Sequence, residues 1–454
     1  MNRSSMIQFP DSFRWGTATA SYQIEGAADE DGRGKSIWDT FCATPGKVKN
    51  NDSGAVACDH YHRYPEDVEL LRSMGVNSYR FSIAWPRILP QGRGQVNQAG
   101  LDFYDRLVDK ILAAGIEPYA TLYHWDLPQT LQDEVGGWNS RETVQAYVDY
   151  TNIISQRLGD RVKNWITHNE PWCTAFLSNE IGEHAPGYHD PKIAWQVSHH
   201  LLLSHGLVVP ILRENSGPEA KVGITLNLTP VYAATDSEAD KLAARFHDGR
   251  SNRWFLDPIF KGQYPADMLE WLNTQGYTPH IEDGDAEIIA RPIDFLGINY
   301  YMRNLVHQKD GAPLGETERV EIPGAEYTEM GWEVYSEGIH DLLVRVNQDY
   351  SPKKIYITEN GAAYADTVDS DGHVHDERRL NYIREHLRQI HRAIGEGVPM
   401  AGYFAWSLMD NFEWAFGYEK RFGLVYVDYP TQQRIIKDSG LWYHDVATAN
   451  GFEA

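Results

Sequence analysis

Eight short runs of β-branched and aromatic residues recur along the 454-residue chain, most of them separated by segments with helical spacing. Runs of this length and composition predict buried strands. The predicted strands are FRWGTATA (13–20), NSYRFSIAW (77–85), IEPYATLYHW (116–125), VKNWITHNE (162–170), KVGITLN (221–227), PIDFLGINYY (292–301), KIYITEN (354–360) and MAGYFAWSL (400–408). Several of these runs end in polar or aromatic side chains.

Amphipathic segments between the strands predict helices, because their apolar residues recur three and four positions apart. Ser140 is a candidate N-cap and Gly115 a candidate C-terminal stop. The predicted helices cover residues 97–115, 140–159, about 193–214, about 336–349 and the segment that begins at Asp376, where Leu380, Ile383, Leu387, Ile390 and Ile394 share one face.

The alternation of strand and helix predicts an α/β protein with parallel strands. A doubly wound sheet is the alternative architecture, but eight strand signals and the lack of a dinucleotide-binding fingerprint favour a (β/α)8 TIM barrel with extended βα loops. No linker or low-complexity tract divides the sequence, so we expect a single barrel domain over residues 1–454. In such barrels the chemistry is located at the carboxyl ends of the strands.

Two of the predicted strands end in a glutamate beside an asparagine, in NWITHNEP (164–171) and KIYITENG (354–361). One glutamate at a strand end is usually a solvated loop residue. Two of them facing one barrel mouth suit glycoside hydrolysis, where one carboxyl protonates the departing oxygen and the other attacks or activates water. The 14 Trp and 26 Tyr residues offer flat faces on which a sugar could stack, although most of them are expected to pack the core.

Composition limits the kinds of ligand or surface that the protein is expected to bind. The 41 basic and 64 acidic side chains give a formal charge of 41 − 64 = −23, which argues against nucleic acid or an anionic membrane surface and favours a neutral ligand. No apolar run has the length of a membrane span, and the amino terminus lacks a secretory signal pattern. Three cysteines without a CxxC pattern favour a reducing compartment, so we expect a cytoplasmic protein.

The two glutamate motifs, WITHNEP and IYITENG, resemble the acid/base and nucleophile motifs of family-one glycoside hydrolases, the β-glucosidase family. Further segments resemble the family in the same order, from about Phe9 to Tyr443: FRWGTATASYQIEG, GVNSYRFSIAWPRI, TLYHWDLP, FLGINYY and WSLMDNFEWAFGYEKRFGLVYVD. The resemblance implies a single (β/α)8 barrel and a retaining β-glucosidase. Its expected substrates are aryl glucosides, cellobiose and short cello-oligosaccharides, with β-galactosides and β-fucosides as further candidates.

The resemblance also implies roles for individual residues. Glu170 would be the general acid/base and Glu359 the nucleophile, with Arg80 and Tyr301 contacting Glu359 and keeping it ionised. Asn169 would bind the sugar 2-hydroxyl, and Asn299 would support Glu170. The other implied substrate-binding residues are Gln23, His124, Trp125, Trp332, Trp406, Glu413, Trp414 and Phe422.

Neither a metal nor another cofactor is expected, because the histidine clusters lack metal-ligand spacing and no HExxH is present. A non-catalytic sugar-binding protein is one alternative, although it would not need two facing carboxylates. A phospho-β-glycosidase of the same family is another, but Glu413 would repel a phosphate. The sequence leaves open whether the chain forms a homo-oligomer.

Overall fold

The eight predicted strands form one closed parallel barrel in the computed structural model, which describes residues 6–312 and 316–453. Consecutive strands are hydrogen-bonded neighbours, and the eighth pairs with the first to close the ring. The barrel strands are β1 (Arg14–Ala18), β2 (Ser78–Ser82), β3 (Glu117–Thr121), β4 (Asn164–Asn169), β5 (Lys221–Asn227), β6 (Phe295–Asn299), β7 (Ile355–Asn360) and β8 (Met400–Trp406). The predicted TIM-barrel fold is therefore confirmed.

Fifteen α-helices occur in the described part of the chain, and the five predicted helices are among them. They are Ser21–Ile24, Ile37–Ala43, His60–Ser73, Trp85–Ile88, Gln98–Ala113, Gln129–Val135, Arg141–Leu158, Pro191–Ser216, Glu238–Asp248, Trp254–Lys261, Ala266–Gln275, Asp285–Ile289, Glu337–Tyr350, Glu377–Gly395 and Asp438–Ala449. The Ser140 side chain accepts from the Glu142 amide at 3.1 Å, which confirms the predicted N-cap. Gly115 has a φ of +76°, as expected of a glycine that ends a helix.

The described residues also form shorter helical turns and strands outside the barrel. Three 3₁₀ turns span Lys49–Asn51, Gly137–Asn139 and Trp414–Phe416, and two π-helical segments span Cys173–Ile181 and Gly249–Arg253. Met6–Gln8 pairs with Gly451–Glu453, and Val425–Asp428 pairs with Gln433–Ile436. A small sheet joins Val231–Ala233, Asn304–Gln308 and Thr317–Arg319. The first and last described strands therefore lie side by side.

Large aromatic side chains fill the inside of the barrel. Tyr119, Phe295, Tyr356 and Phe404 belong to one buried cluster there. Gly16 on β1 makes room for this packing, because a Cβ atom at that position would lie 2.4 Å from a ring carbon of Phe404. The barrel is thus a packed core rather than a pore, which leaves its carboxyl end as the place for a ligand.

Within the described residues, no helix combines the length and the apolar character that crossing a membrane requires.

Candidate active site

A cavity of about 360 Å³ opens at the carboxyl ends of the barrel strands. It is lined by 11 of the 14 residues predicted for the site: His124, Trp125, Glu170, Asn299, Tyr301, Trp332, Glu359, Trp406, Glu413, Trp414 and Phe422. The other three lie behind this wall and bond to residues that line it. Arg80 contacts Glu359, Gln23 contacts Glu413, and Asn169 contacts Asn299.

Glu359 is the fifth residue of β7 and is 3 % exposed. Arg80 Nη1 donates to Glu359 Oε1 at 2.6 Å, and the Tyr301 hydroxyl donates to Oε2 at 2.7 Å. Burial raises the pKa of Glu359 above its ordinary value, while Arg80 and Tyr301 act in the opposite direction. The expected contacts are present. Both contacts lower the pKa, as expected of an opposite charge and a hydrogen-bond donor, but the loss of hydration on burial has the larger effect.

Glu170 follows directly after β4 and is 6 % exposed. Its carboxyl group accepts from the Asn299 amide at 2.7 Å on Oε1 and from the Cys173 thiol at 3.1 Å on Oε2. Burial, and next the charge of Glu359, raise the pKa of Glu170 to about 7. This is the direction expected from the sequence. Within the described residues no cation is hydrogen-bonded to Glu170, whereas Arg80 is hydrogen-bonded to Glu359, so the surroundings of Glu170 favour the protonated form more than those of Glu359 do.

Asn169 links the two carboxyl groups. Its Oδ1 accepts from Arg80 Nη2 at 2.6 Å and from the Asn299 amide at 3.0 Å, and its own amide lies 3.0 Å from His124 Nε2. An amide nitrogen can only donate, so His124 Nε2 accepts and the imidazole proton is on Nδ1. Burial, and next the Arg80 charge, lower the pKa of His124 well below its ordinary value. The imidazole is therefore neutral, with Nδ1 as a free donor among the described residues.

Gln23 and Glu413 form the opposite side of the site. The Gln23 amide donates to the Phe412 carbonyl at 2.8 Å and lies 3.3 Å from Glu413 Oε2. Its Oε1 has no hydrogen-bond partner within the described residues. Burial, followed by the charges of Glu359 and Glu170, raises the pKa of Glu413 to about 8. A buried amide oxygen therefore lies directly behind a carboxyl group that lines the cavity.

Aromatic rings form the remaining walls. Trp414 packs at 4.6 Å from Trp125, and Trp332 packs at 5.1 Å from Tyr301 and 6.2 Å from Phe422, measured between ring centroids. Trp406 is the last residue of β8 and stacks on His124 with an interplanar angle of 18°. Flat apolar faces beside hydroxyl-binding groups are what a sugar ring requires.

Three residues of the site have left-handed backbone conformations that are rare outside glycine. The φ angles are +79° for Trp125, +47° for Glu170 and +50° for Trp414. Each such conformation costs about 1–3 kcal/mol and persists where the surrounding structure holds it, typically at functional sites. The Glu170 backbone is held by its amide, which donates to the Thr225 carbonyl at 2.9 Å.

The sequence interpretation missed the outer part of the cavity. Its lining residues that were not predicted are Trp172, Cys173, Leu177, Glu183, His184, Asn227, Thr229, Met302, Asn304, Met330 and Phe416. Most of them lie beyond the ends of the barrel strands. The available signal for Cys173 was its position three residues after Glu170. The sequence alone does not show that the first helical turn after β4 brings the Cys173 thiol to the carboxyl group.

Among residues 6–312 and 316–453, no group of three or more His, Cys, Asp and Glu side chains is arranged to hold a metal ion. The histidines that cluster in the sequence have protein partners instead. His199 contacts Asp285 and Tyr264, and His205 contacts Thr167. These are the contacts of structural histidines.

Comparison with known proteins identifies the family of this chain. The family model described as "Glycosyl hydrolase family 1" matches residues 5–452. "Beta-glucosidase A" of Thermotoga maritima is 50 % identical over 449 residues, covering 98 % of this chain and 99 % of the relative. The "Bifunctional beta-D-glucosidase/beta-D-fucosidase" of Bifidobacterium breve is 47 % identical over 453 residues, covering 96 % and 97 %.

The solved structures agree with this result. The "Family 1 b-glucosidase from Thermotoga maritima" superposes with a TM-score of 0.96 at 49 % identity, covering 99 % of this chain and 100 % of that one. The same enzyme in complex with glucoimidazole gives a TM-score of 0.95 at 49 % identity, covering 98 % and 100 %. A full-length family match, half-identical relatives and a shared barrel lead to one conclusion: the chain belongs to glycosyl hydrolase family 1.

Proposed function

We propose that the protein is a retaining β-glucosidase that releases terminal, non-reducing β-D-glucosyl residues. Its substrates would be aryl glucosides, cellobiose and short cello-oligosaccharides. The proposal rests on one observation: two buried carboxyl groups in the same cavity have different hydrogen-bond partners. Glu359 bonds to a guanidinium, whereas Glu170 bonds to an amide and a thiol. The names of the relatives support the choice of glucose as the sugar.

In the first step Glu359 attacks the anomeric carbon as Glu170 transfers its proton to the departing glycosidic oxygen. A bond from Glu359 to the sugar forms, the bond to the aglycone breaks, and the aglycone leaves as a neutral alcohol. Arg80 suits this step, because it favours the charged form of the nucleophile in a site that otherwise disfavours charge. Glu170 suits it because its pKa of about 7 leaves it protonated below neutral pH.

In the second step water replaces Glu359 at the anomeric carbon. The ester formed by Glu359 has no negative charge, so one cause of the raised pKa of Glu170 is removed. Glu170 can then accept a proton from the attacking water as a general base. Two successive inversions return the β-anomer, which is the retaining outcome.

Sugar binding follows from the donors and acceptors around the cavity. The Asn169 amide is placed beside the Arg80–Glu359 pair, which suits a contact with the 2-hydroxyl. Gln23 Oε1 is a free acceptor among the described residues and His124 Nδ1 a free donor, so together they suit neighbouring hydroxyls. Glu413 and Trp414 would bind the far side of the ring, and Trp406 would form its floor. Trp125, Trp332 and Phe422 complete the walls.

The described structure supports one catalytic domain for the whole chain, because the last barrel strand pairs with the first and Met6–Gln8 pairs with Gly451–Glu453. A cytoplasmic location fits the three cysteines, which are free and buried. A phospho-β-glycosidase is disfavoured because, among the described residues, no lysine or arginine side chain lines the cavity to pair with a phosphate. The Lys420 ammonium, which could attract a phosphate, instead donates to the Glu329 carbonyl at 2.7 Å.

The decisive experiment traps the intermediate. A 2-deoxy-2-fluoro β-glucoside with a dinitrophenyl leaving group should inactivate the enzyme and leave one covalent sugar on the peptide that contains Glu359. Peptide mapping by mass spectrometry reads the site, and Glu359→Gln is the matched control that should remain unlabelled. Proton NMR of the first product from an ordinary β-glucoside should show β-glucose before mutarotation. A label elsewhere, or initial release of α-glucose, would overturn the proposal.

A further inference from the structure

The two oxygens of the Glu170 carboxyl group are held by donors of unequal strength. Asn299 supplies an amide at 2.7 Å to Oε1, and Cys173 supplies a thiol at 3.1 Å to Oε2. A thiol is a much weaker donor than a hydroxyl or an amide. Cys173 nevertheless lies in the wall of the cavity and is 6 % exposed.

Local structure fixes the position of this thiol. A π-helical segment begins at Cys173, and the Cys173 amide donates to the Glu170 carbonyl at 2.9 Å. On the other side of the sulfur, the amide of Asn227 lies 3.7 Å from Sγ. The sulfur is therefore held between an amide that donates to it and the carboxyl group to which it donates.

The strength of a donor to a carboxyl group affects how readily the carboxyl loses its proton. A hydrogen bond to the charged form favours that form, and a stronger bond favours it more. Burial, and next the charge of Glu170, raise the pKa of Cys173 well above its ordinary value, so the thiol stays protonated and remains a donor. A serine hydroxyl here would favour the carboxylate more strongly, and an alanine would not favour it at all.

We propose that the Cys173 thiol is a positioning residue for Glu170, orienting its carboxyl group with a donor too weak to promote loss of the proton that the departing oxygen receives. This inference rests on the proposed role of Glu170 as general acid and base. It adds that the chemical nature of residue 173 sets the upper pH limit of the first chemical step. Cys173 itself exchanges no proton with the substrate.

Other charged and titratable groups also face Glu170, and a test must hold them constant. They are Glu359, Glu413, Arg80, Tyr301 and Cys173 itself. Substitutions at position 173 leave the first four unchanged, and they alter no formal charge. A change in the pH profile of such a variant therefore reports the hydrogen bond from residue 173.

The experiment compares kcat/KM against pH for the wild type, Cys173→Ser and Cys173→Ala, with cellobiose as a substrate whose departure needs a proton. The alkaline limb should move to lower pH in Cys173→Ser, by about 0.5–1 unit for one improved hydrogen bond. It should move to higher pH in Cys173→Ala, where Oε2 has lost its donor and only the Asn299 amide on Oε1 remains. From low to high pH, the expected order of the alkaline limbs is Cys173→Ser, wild type and Cys173→Ala.

Two controls separate this role from a general structural one. Dinitrophenolate departs without a proton, so the kcat/KM profile of a dinitrophenyl β-glucoside should not shift in either variant. Thr174→Val alters the neighbouring residue, whose hydroxyl has no hydrogen-bond partner in the described part of the chain, and should leave the cellobiose limb in place.

The same limb in all three proteins, a reversed order, or an equal shift with the dinitrophenyl substrate would overturn the inference. These outcomes are distinct from failure of the proposed function, which would appear as an unlabelled Glu359 in the trapping experiment.

Discussion

Arg80 and Glu359 form an ion pair of 2.6 Å with side chains that are 1 % and 5 % exposed. Breaking such a pair leaves a buried charge without compensation and costs about 3–5 kcal/mol. Glu359 would avoid that cost by binding a proton, since its pKa is already raised by burial. The loss of Arg80 would therefore slow the nucleophilic step, because a protonated carboxyl is a poor nucleophile.

Arg80→Met should therefore reduce kcat about 100-fold or more, since 1.36 kcal/mol corresponds to a tenfold change in rate. The acidic limb of the pH profile should move to higher pH, because Glu359 must now lose its proton without a nearby cation. Arg80→Lys keeps the charge but lacks a second terminal nitrogen for Asn169, so we expect intermediate activity. Steady-state kinetics between pH 4 and 9 checks both variants. An unmoved acidic limb in Arg80→Met would contradict the assignment of Arg80.

Glu170→Ala should distinguish between leaving groups. A sugar leaving group needs a proton, so activity on cellobiose should fall by about 10²–10⁴-fold. Formation of the glycosyl-enzyme from a dinitrophenyl glucoside should survive, and its breakdown should then limit turnover. Azide, which attacks without a general base, should restore turnover and yield β-glucosyl azide. Equal losses on both substrates, without rescue by azide, would show that Glu170 has another role.

The barrel strands and the paired glutamates were predictable because both are encoded locally. Each strand is a short run of branched and aromatic residues, and each glutamate ends such a run. The direction of the pKa change at Glu359 was not predictable in this way. It depends on how completely packing excludes water, and Arg80 lies 279 positions away along the chain.

The sequence pattern also did not predict the contact of Cys173 with Glu170. They lie three positions apart, a spacing that places both on one face of a helical turn but does not specify which atoms meet. The first helical turn after Glu170, in which the Cys173 amide donates to the Glu170 carbonyl, and the left-handed backbone of Glu170 bring the two side chains together. Both conformations depend on how the loop after β4 packs in the folded protein.

The pKa of Glu170 gives the alkaline limit of activity. A carboxyl whose pKa is raised to about 7 is protonated below that pH and loses its proton as the pH rises through it. The alkaline limb of kcat/KM for cellobiose should therefore be centred near pH 7, with half of the maximal value there and a fall of about tenfold per pH unit at higher pH. Glu359→Gln removes the second cause of the raised value, so the pKa of Glu170 should decrease in that variant. NMR titration of ¹³C-labelled Glu side chains measures the change, and an unchanged value would contradict the electrostatic coupling.

Lys437 is a candidate for a large effect on stability. Its ammonium contacts Asp410 Oδ1 at 2.7 Å and Asp366 Oδ2 at 2.5 Å, and its side chain is fully buried. These aspartates lie on the loops after β7 and β8, so the contact joins the two loops. Lys437→Met should lower the free energy of unfolding by about 3 kcal/mol, because each of two buried carboxylates loses a charge-assisted hydrogen bond. Each keeps an arginine partner, Arg379 for Asp366 and Arg421 for Asp410.

Denaturant unfolding followed by circular dichroism measures that loss. Lys241→Met is the matched control, because Lys241 and its partner Glu238 are mostly exposed. That substitution should leave stability unchanged within experimental error. Equal stability of the two variants would show that the buried contact of Lys437 contributes nothing to the fold.

Glu413 should determine how well the enzyme recognises the sugar. Its carboxyl lines the cavity, and its raised pKa of about 8 keeps it neutral near pH 7, able both to donate and to accept. Two hydrogen bonds to neighbouring hydroxyls, at about 1 kcal/mol each, correspond to a factor of more than ten. Glu413→Ser should therefore lower kcat/KM for nitrophenyl β-glucoside at least tenfold.

Glu413→Gln is the matched variant, because glutamine has nearly the same shape and, like a protonated carboxyl, offers both a donor group and an acceptor. It should retain more activity than the serine variant at pH 7, where the glutamate itself is neutral. Above pH 8 the wild-type carboxyl ionises while the glutamine does not, so the two proteins should diverge in KM as the pH rises. If Glu413→Ser has wild-type kinetics, Glu413 does not bind the sugar. If Glu413→Gln is as impaired as Glu413→Ser at pH 7, the sugar requires the ionised carboxylate and the neutral form is not the binding state.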